Sequence, residues 1–138
     1  EVPVLYIVAE LDSILPLKGM QDMFNRNPDP KTTVVLLNAD HFHFNDAIEQ
    51  THDGYKLLLG MLAEGMDEDT RHSTETMMAG MKPSSELVAG ADAYALINGL
   101  GLAHFDRELR GSQDAASFLR GDLVAILAEH HINVKLLF

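Results

Sequence analysis

The sequence predicts an α/β fold that begins with a parallel strand–helix–strand unit. Two continuous apolar runs, residues 2–9 and 33–37, are rich in β-branched side chains and lack the alternation of a strand with one exposed face. Such runs are typical of strands buried on both faces of a parallel sheet. Residues 17–26, between the two runs, have helical spacing, so this part of the chain has the size of one right-handed βαβ connection.

The boundaries of this unit follow from its prolines. Pro3 stands near the start of the first predicted strand, where a missing backbone donor does least harm. Pro16 suits the first turn of the helix expected over residues 17–26. Pro28 and Pro30 follow that helix and cannot continue it.

Most of the chain after the second strand is expected to be helical. Either Asn45 or Asp46 can cap the next helix, and Asp46 has Glu49 three residues on, as in a capping box. The charged residues 67–76 are expected to form a loop or an exposed turn. Ser84 or Ser85 is then placed to cap a long helix over residues 86–109, which Gly111 ends.

The last part of the chain is predicted to form short elements. Residues 114–131 read as one or two helices broken near Gly121, and the apolar residues 132–138 as an extra strand or a docked end. Two parallel strands do not make a stable sheet, so further strands are expected from an upstream segment or from a partner chain. The sequence opens in an apolar run with no starting Met, and we therefore expect that residue 1 is not where the gene product begins.

Composition excludes several classes of function. The chain carries 10 Lys and Arg against 21 Asp and Glu, a formal net charge of −11 that repels nucleic acid and anionic membranes. Without cysteine it forms no disulfide and no cysteine-based metal site. No apolar run reaches the roughly 20 residues of a membrane helix. The compartment stays open, with a cytoplasmic location slightly favoured because no signal peptide is visible.

Two ionisable residues follow the predicted strands directly. Asp12 comes just after the first strand and His41 just after the second. Ligands of open parallel sheets bind beyond the carboxyl ends of the strands, and neighbouring strands lie about 5 Å apart. We therefore expect a hydrogen bond in which the carboxylate of Asp12 fixes the tautomer of the His41 imidazole.

These two segments resemble the acid and histidine loops of α/β-hydrolases. Residues 4–16 look like the strand and turn that carry the acid, although Ala9 stands where glycine is commoner, and residues 34–44 look like the last strand and histidine loop. The order Asp12 then His41 follows the chain order of that family's Ser, acid, His triad. Residues 41–46 and 95–111 are most similar to the dienelactone-hydrolase-like and platelet-activating-factor-acetylhydrolase-like branch.

The resemblance implies a role for the whole chain. Residues 1–138 would be the C-terminal portion of one α/β-hydrolase domain, with the acid and histidine loops in residues 1–46 and a mainly helical covering segment in residues 47–138. It implies a serine carboxylic-ester hydrolase in which His41 is the general base and Asp12 orients it. The expected partners are a small-molecule ester, the N-terminal part of the same fold or a partner chain, and further copies of the chain. No metal or cofactor is expected.

The nucleophile of such an enzyme is missing from the sequence. Six serines are present, and none has glycine both two residues before and two residues after it, as the Gly-x-Ser-x-Gly elbow requires. Residues 1–138 alone are therefore expected to be inactive. The absent elbow also supports an alternative in another class, a non-catalytic assembly module derived from a hydrolase fold.

Other histidines and the methionines leave alternatives open. His43 competes with His41 for the triad position, and His41, His43 and Asp46 have metal-ligand spacing if Asp40 or His52 completes the set. A second set of residues either fills a core or lines an adaptable acyl pocket: Met61, Met66, Met77, Met78 and Met81.

Overall fold

The computed structural model describes residues 3–137 and has an α/β fold that is mostly helical. Residue 2, at the start of the first predicted strand, and residue 138, at the end of the tail, lie outside the described residues. The elements in chain order are β1 (Val4–Ala9), α1 (Leu17–Arg26), β2 (Lys31–Leu36), a 3₁₀ helix (His41–Phe44), α2 (Ile48–Ala63), α3 (Glu68–Gly80), a 3₁₀ turn (Ser84–Glu86), α4 (Gly90–Arg110), α5 (Gln113–Arg120), α6 (Leu123–Glu129) and β3 (Val134–Leu137).

The strands form one mixed sheet in the order β1, β2, β3. β1 and β2 are parallel, as predicted, with Val4 opposite Lys31 and Ala9 opposite Leu36. β3 pairs antiparallel with β2, so the tail supplies a third strand on the side away from β1. In the described part of the chain, β1 is paired on one side only, and most of its residues are half-buried rather than buried.

The core lies between the sheet and two of the later helices. The central strand β2 contributes Val34 and Leu36, and α4 contributes Leu96 and Leu100. α6 adds Leu123 from the other end of the sheet. Burying these apolar side chains together is the main stabilising contribution, and it fixes the carboxyl ends of β1 and β2 against the helical layer.

The segment predicted as a charged loop is a helix, and that prediction was wrong. α3 begins after Asp67, whose side chain accepts a hydrogen bond from the Thr70 backbone N–H at 3.0 Å. Arg71 and Glu75 pair one turn apart on its surface. No residue of α3 is buried, so the helix has no apolar stripe from which it could be predicted.

The predicted starts of α2 and α4 were also wrong. α2 begins at Ile48 after Ala47, and neither Asn45 nor Asp46 caps it with a side chain. α4 begins at Gly90, because Ser84 starts a short 3₁₀ turn instead.

The side chain of Glu49 is involved at both of these helix starts. Its Oε1 accepts a hydrogen bond from the Gly90 N–H at 3.0 Å, so it supports the start of α4 and does not close a capping box with Asp46. This contact joins two segments that are distant in sequence, and local spacing could not predict it.

Of the remaining boundaries, those of α1 and the end of α4 agree with the prediction, whereas β2 begins two residues before the predicted run 33–37 and ends one residue before its end. α1 covers residues 17–26, and α4 ends at Gly111, which takes the left-handed conformation at φ 64°. The chain breaks near Gly121 into α5 and α6. None of the helices within residues 3–137 combines the length and the hydropathy that spanning a membrane requires.

Candidate functional site

Asp12 lies in the loop that follows β1, and the loop's own backbone fixes its carboxylate. Oδ1 accepts hydrogen bonds from the N–H groups of Ile14 and Leu15 at 2.9 and 2.6 Å. This turn is typical of aspartate, whose short side chain reaches backbone donors two residues on. The side chain is only 7% exposed, so the carboxylate is held in one position beside the end of β2.

His41 begins the 3₁₀ helix after β2 and contacts Asp12 through its ring. Its Nδ1 lies 3.1 Å from Oδ2 and 3.2 Å from Oδ1 of Asp12. A carboxylate only accepts, so Nδ1 carries the proton and a neutral ring has its lone pair on Nε2. Within residues 3–137, Nε2 makes no hydrogen bond, and the side chain is 30% exposed. The geometry leaves one ring nitrogen of His41 free to accept a proton.

Asp40 connects the loops that carry this pair. Its Oδ1 accepts from the backbone N–H and the hydroxyl of Ser13, both at 2.8 Å, and from the His41 N–H at 2.6 Å. Ser13 follows Asp12 in the chain, so a single oxygen links the neighbour of the acid to the backbone of His41 itself. The sequence predicts Asp40 as a candidate metal ligand and does not predict this contact with Ser13. The signal that could have identified it is the spacing Asp40-x-x-His43, a capping box in which His replaces Glu.

The structure separates the roles of His43 and His41. His43 is buried, and its Nε2 lies 2.9 Å from the Val88 carbonyl oxygen. Nδ1 lies 2.9 Å from both the backbone nitrogen and the carbonyl oxygen of Asp40. A neutral ring with its proton on Nε2 donates to the Val88 carbonyl and accepts at Nδ1 from the Asp40 N–H, so it satisfies both nitrogens. Both nitrogens of His43 are therefore used in holding the loop, whereas His41 faces Asp12.

The metal alternative is not formed by the described residues. No group of three or more His, Asp or Glu side chains among residues 3–137 is arranged to hold a metal ion. Asp46 is exposed, and His43 is turned toward Val88. His52 is fully buried, with its Nε2 on the Lys82 carbonyl oxygen at 2.8 Å.

An aromatic cluster packs around Phe42 in the 3₁₀ helix that begins at His41. The ring of Phe42 packs edge-on against His41 and His52 and lies 4.8 Å from that of Tyr55. His52 and Tyr55 of α2 thus hold the side chain of Phe42, which in turn contacts the His41 ring. Nδ1 of His52 is buried and has no hydrogen-bond partner among the described residues.

Cavities of different sizes lie near and away from the pair. One, of about 800 Å³, is an open groove between α2 and α3 that includes Met61 and Met78. Another, of about 350 Å³, borders Asp12 and is lined on one side by Met77 of α3. Met81 is buried, so the methionines divide between core and cavity linings.

Glu10 joins all three strands at the same edge of the sheet. Its Oε1 accepts from the Lys135 ammonium of β3 at 2.7 Å, and its Oε2 from the Asn38 N–H at 3.1 Å. The bond from Lys135, followed by that from Asn38, lowers the pKa of the Glu10 carboxyl below its usual value. The ionised carboxylate therefore helps to hold the turn after β2 beside the loop of Asp12.

The fold and the site together define an α/β protein with a hydrogen-bonded aspartate–histidine pair beyond the carboxyl ends of two parallel strands. No family model, curated protein or solved structure matches the chain. What the pair does is therefore inferred from its geometry and chemistry.

Proposed function

We propose that the chain supplies the acid and the base of a Ser-His-Asp triad in a carboxylic-ester hydrolase. The observation that supports this proposal is the bond from His41 Nδ1 to the Asp12 carboxylate, with Nε2 left free of intramolecular partners. An aspartate that fixes the tautomer of a half-exposed imidazole is the arrangement that activates a serine hydroxyl.

In the proposed reaction His41 first accepts a proton and then donates it to the leaving group. Nε2 takes the proton of the serine hydroxyl as its oxygen attacks the ester carbonyl, and a tetrahedral intermediate forms. The imidazolium then gives that proton to the alkoxy oxygen as the carbon–oxygen bond breaks and an acyl-serine remains. Water releases the acid by the same two transfers. Asp12 stays ionised throughout and stabilises the positive ring.

The nucleophile in this proposal comes from outside residues 1–138. Ser13 is the serine nearest in sequence to the pair, and its hydroxyl already donates to Asp40. The other serines also lack the flanking glycines of an elbow. A strand added to the open side of β1 would bring an elbow to the same edge as His41, from an upstream segment or from a partner chain.

The test uses the full natural gene product and short p-nitrophenyl esters. We expect His41→Ala to lower kcat by about 10⁶-fold and Asp12→Asn by about 10⁴-fold, as loss of the histidine and of the aspartate of a triad does. His72→Ala and Asp22→Asn change exposed residues of the same types and should keep wild-type turnover. Unchanged turnover in both site variants would falsify the proposal. Residues 1–138 expressed alone should hydrolyse no ester.

A second candidate function, a non-catalytic assembly module, has an observation of its own. α4 exposes an apolar stripe of Tyr94, Leu102, Phe105 and Leu109, and one edge of β1 is unpaired within the described residues. The mass of the natural gene product separates the two candidates. A longer product with an upstream Gly-x-Ser-x-Gly that reacts with a fluorophosphonate favours the hydrolase; an unreactive product of 138 residues favours assembly.

A further inference from the structure

We propose that Asp40 is a positioning residue that fixes the separation and orientation of Asp12 and His41. Its catalytic meaning rests on the proposed function, but its effect on the pair does not. One oxygen of Asp40 accepts three hydrogen bonds, from Ser13 N–H, Ser13 Oγ and His41 N–H. Each donor belongs to a residue of the pair or to its immediate neighbour in the chain.

Few other contacts hold the two loops together. The last backbone bond between the strand extensions runs from the Leu11 N–H to the Ala39 carbonyl at 2.8 Å. Beyond it, the described hydrogen bonds between residues 12–16 and residues 40–47 are those of Asp40 with Ser13 and those of His41 with Asp12. Apart from the bond between Asp12 and His41, the separation of the two loops therefore depends on the hydrogen bonds of Asp40.

Asp40 is well placed for this role because it is itself immobilised. Its backbone N–H donates to His43 Nδ1, and His43 Nε2 donates to the Val88 carbonyl just before α4. The residue is only 1% exposed. Hydrogen bonds to a carboxylate are shorter and stronger than neutral ones, more so away from water. The chain of contacts from Val88 through His43 and Asp40 to Ser13 thus ties the acid loop to the helical layer.

A purely structural role for Asp40 would be that of a cap for the 3₁₀ helix. Such a cap needs only the bonds from the backbone N–H groups of the 3₁₀ helix, at His41 and His43, whereas the two bonds from Ser13 contribute nothing to it. Substitutions can separate the roles. Asp40→Asn keeps an acceptor oxygen for all three donors. Asp40→Ser keeps a capping oxygen on a shorter side chain that does not reach Ser13, and Ser13→Ala removes one donor without touching the cap.

The experiment records the tautomer of each histidine ring by ¹H–¹⁵N NMR of the natural gene product labelled with ¹⁵N-histidine. We expect His41 to be a single Nδ1–H tautomer in the wild type and in Asp40→Asn. In Asp40→Ser it should become a mixture, and in Ser13→Ala its Nδ1–H should exchange faster with water. His43 is an internal control, because its ring is bonded to backbone groups and should stay Nε2–H.

A matched control tests the effect of a lost cap elsewhere. Ser112 caps α5 through the Ala115 N–H, far from the pair in sequence, and Ser112→Ala should leave His41 unchanged. If Asp40→Ser disturbs His43 as well, the fold is affected and Ser13→Ala decides. The proposal is overturned if His41 keeps its wild-type tautomer and exchange rate in Ser13→Ala, or its wild-type tautomer in Asp40→Ser with His43 intact.

Ester turnover then separates this inference from the proposed function. If both are correct, Asp40→Ser lowers kcat by about 10²-fold with KM little changed, because the misplaced base affects only the chemical step. If His41→Ala leaves turnover intact while Asp40→Ser still releases the His41 tautomer, the proposed function fails and the positioning role stands. If His41 keeps its wild-type tautomer in Asp40→Ser and in Ser13→Ala while His41→Ala abolishes turnover, the positioning role fails and the proposed function stands.

Discussion

The carboxylate of Asp12 serves the His41 ring and its own loop at once. Its oxygens lie 3.2 and 3.1 Å from Nδ1 of His41, while Oδ1 also accepts from the backbone of residues 14 and 15. The loop therefore fixes the carboxylate whether or not the histidine is present. Removing the charge and removing the acceptor are different changes at this position, and they have different consequences.

Asp12→Asn should alter the histidine more than the fold. An amide oxygen can still accept from the Ile14 and Leu15 N–H groups, so the loop is kept. The amide NH₂ then faces His41 and donates to Nδ1, which moves the ring proton to Nε2. Asp12→Ala loses both backbone bonds and should cost about 1–3 kcal/mol more in unfolding free energy than Asn. Urea unfolding and histidine NMR measure the two effects; equal stabilities would contradict this account.

Glu10 should make stability depend on pH in the acid range. The pKa of its carboxyl is lowered, first by Lys135 and then by the Asn38 N–H, from a usual value of 4.5. A lowered pKa in the folded state means that the unfolded chain binds the proton more tightly, so this contribution is present above pH 4.5 and is lost as the pH falls through the lower folded value. The pair is partly exposed, so we expect only about 0.5 kcal/mol.

The check is a comparison of wild type with Glu10→Gln by urea unfolding between neutral pH and pH 3. Gln keeps an acceptor for Asn38 but loses the charge that pairs with Lys135. The wild type should be the more stable at neutral pH, and the gap should close as the pH falls. Glu129→Gln, an exposed change at the end of α6, is the control. A gap that widens toward acid pH would refute the assignment.

The parts of the fold predicted from sequence are those that local patterns specify. Buried β-branched runs predicted β1 and β2, and a glycine predicted the end of α4. The closeness of Asp12 and His41 followed from the same strands, because parallel neighbours end at one edge. The apolar strand runs and the turn residues therefore predicted both the pairing of β1 with β2 and the closeness of Asp12 to His41.

The parts not predicted depend on contacts between distant segments. Asp40 reaches Ser13, 27 residues earlier, and Glu49 reaches Gly90, 41 residues later. Neither Ser13 nor Gly90 lies at a sequence spacing that distinguishes it from an ordinary turn or surface residue. α3 escaped prediction for a different reason: its Asp67 cap and surface pairs stabilise a helix that buries no residue and so lacks an apolar period.

The core between the sheet and α4 gives a prediction with a matched control on one helix. Leu100 is fully buried in the cluster with Leu36, whereas Leu102 is 62% exposed two residues later. Leu100→Ala should cost about 2–5 kcal/mol, because it removes buried area and leaves a cavity. Leu102→Ala should change stability by less than about 0.5 kcal/mol. Thermal or urea unfolding measures both, and similar losses in the two variants would contradict the packing of α4 described here.

Two glycines of α4 should respond in opposite directions when they are replaced by alanine. A Cβ at Gly90 would lie 2.5 Å from Cγ2 of Ile48 and 3.1 Å from Oε1 of Glu49, which already bonds the Gly90 N–H. Gly90→Ala should therefore push α2 and α4 apart and cost about 1–3 kcal/mol. A Cβ at Gly99 meets nothing within 4 Å in the middle of the same helix, so Gly99→Ala should stabilise the protein by about 0.5–1 kcal/mol. Opposite signs in urea unfolding are the expected result. If both substitutions stabilise, the contact of Gly90 with Ile48 and Glu49 does not hold the start of α4, and the explanation of its boundary fails with it.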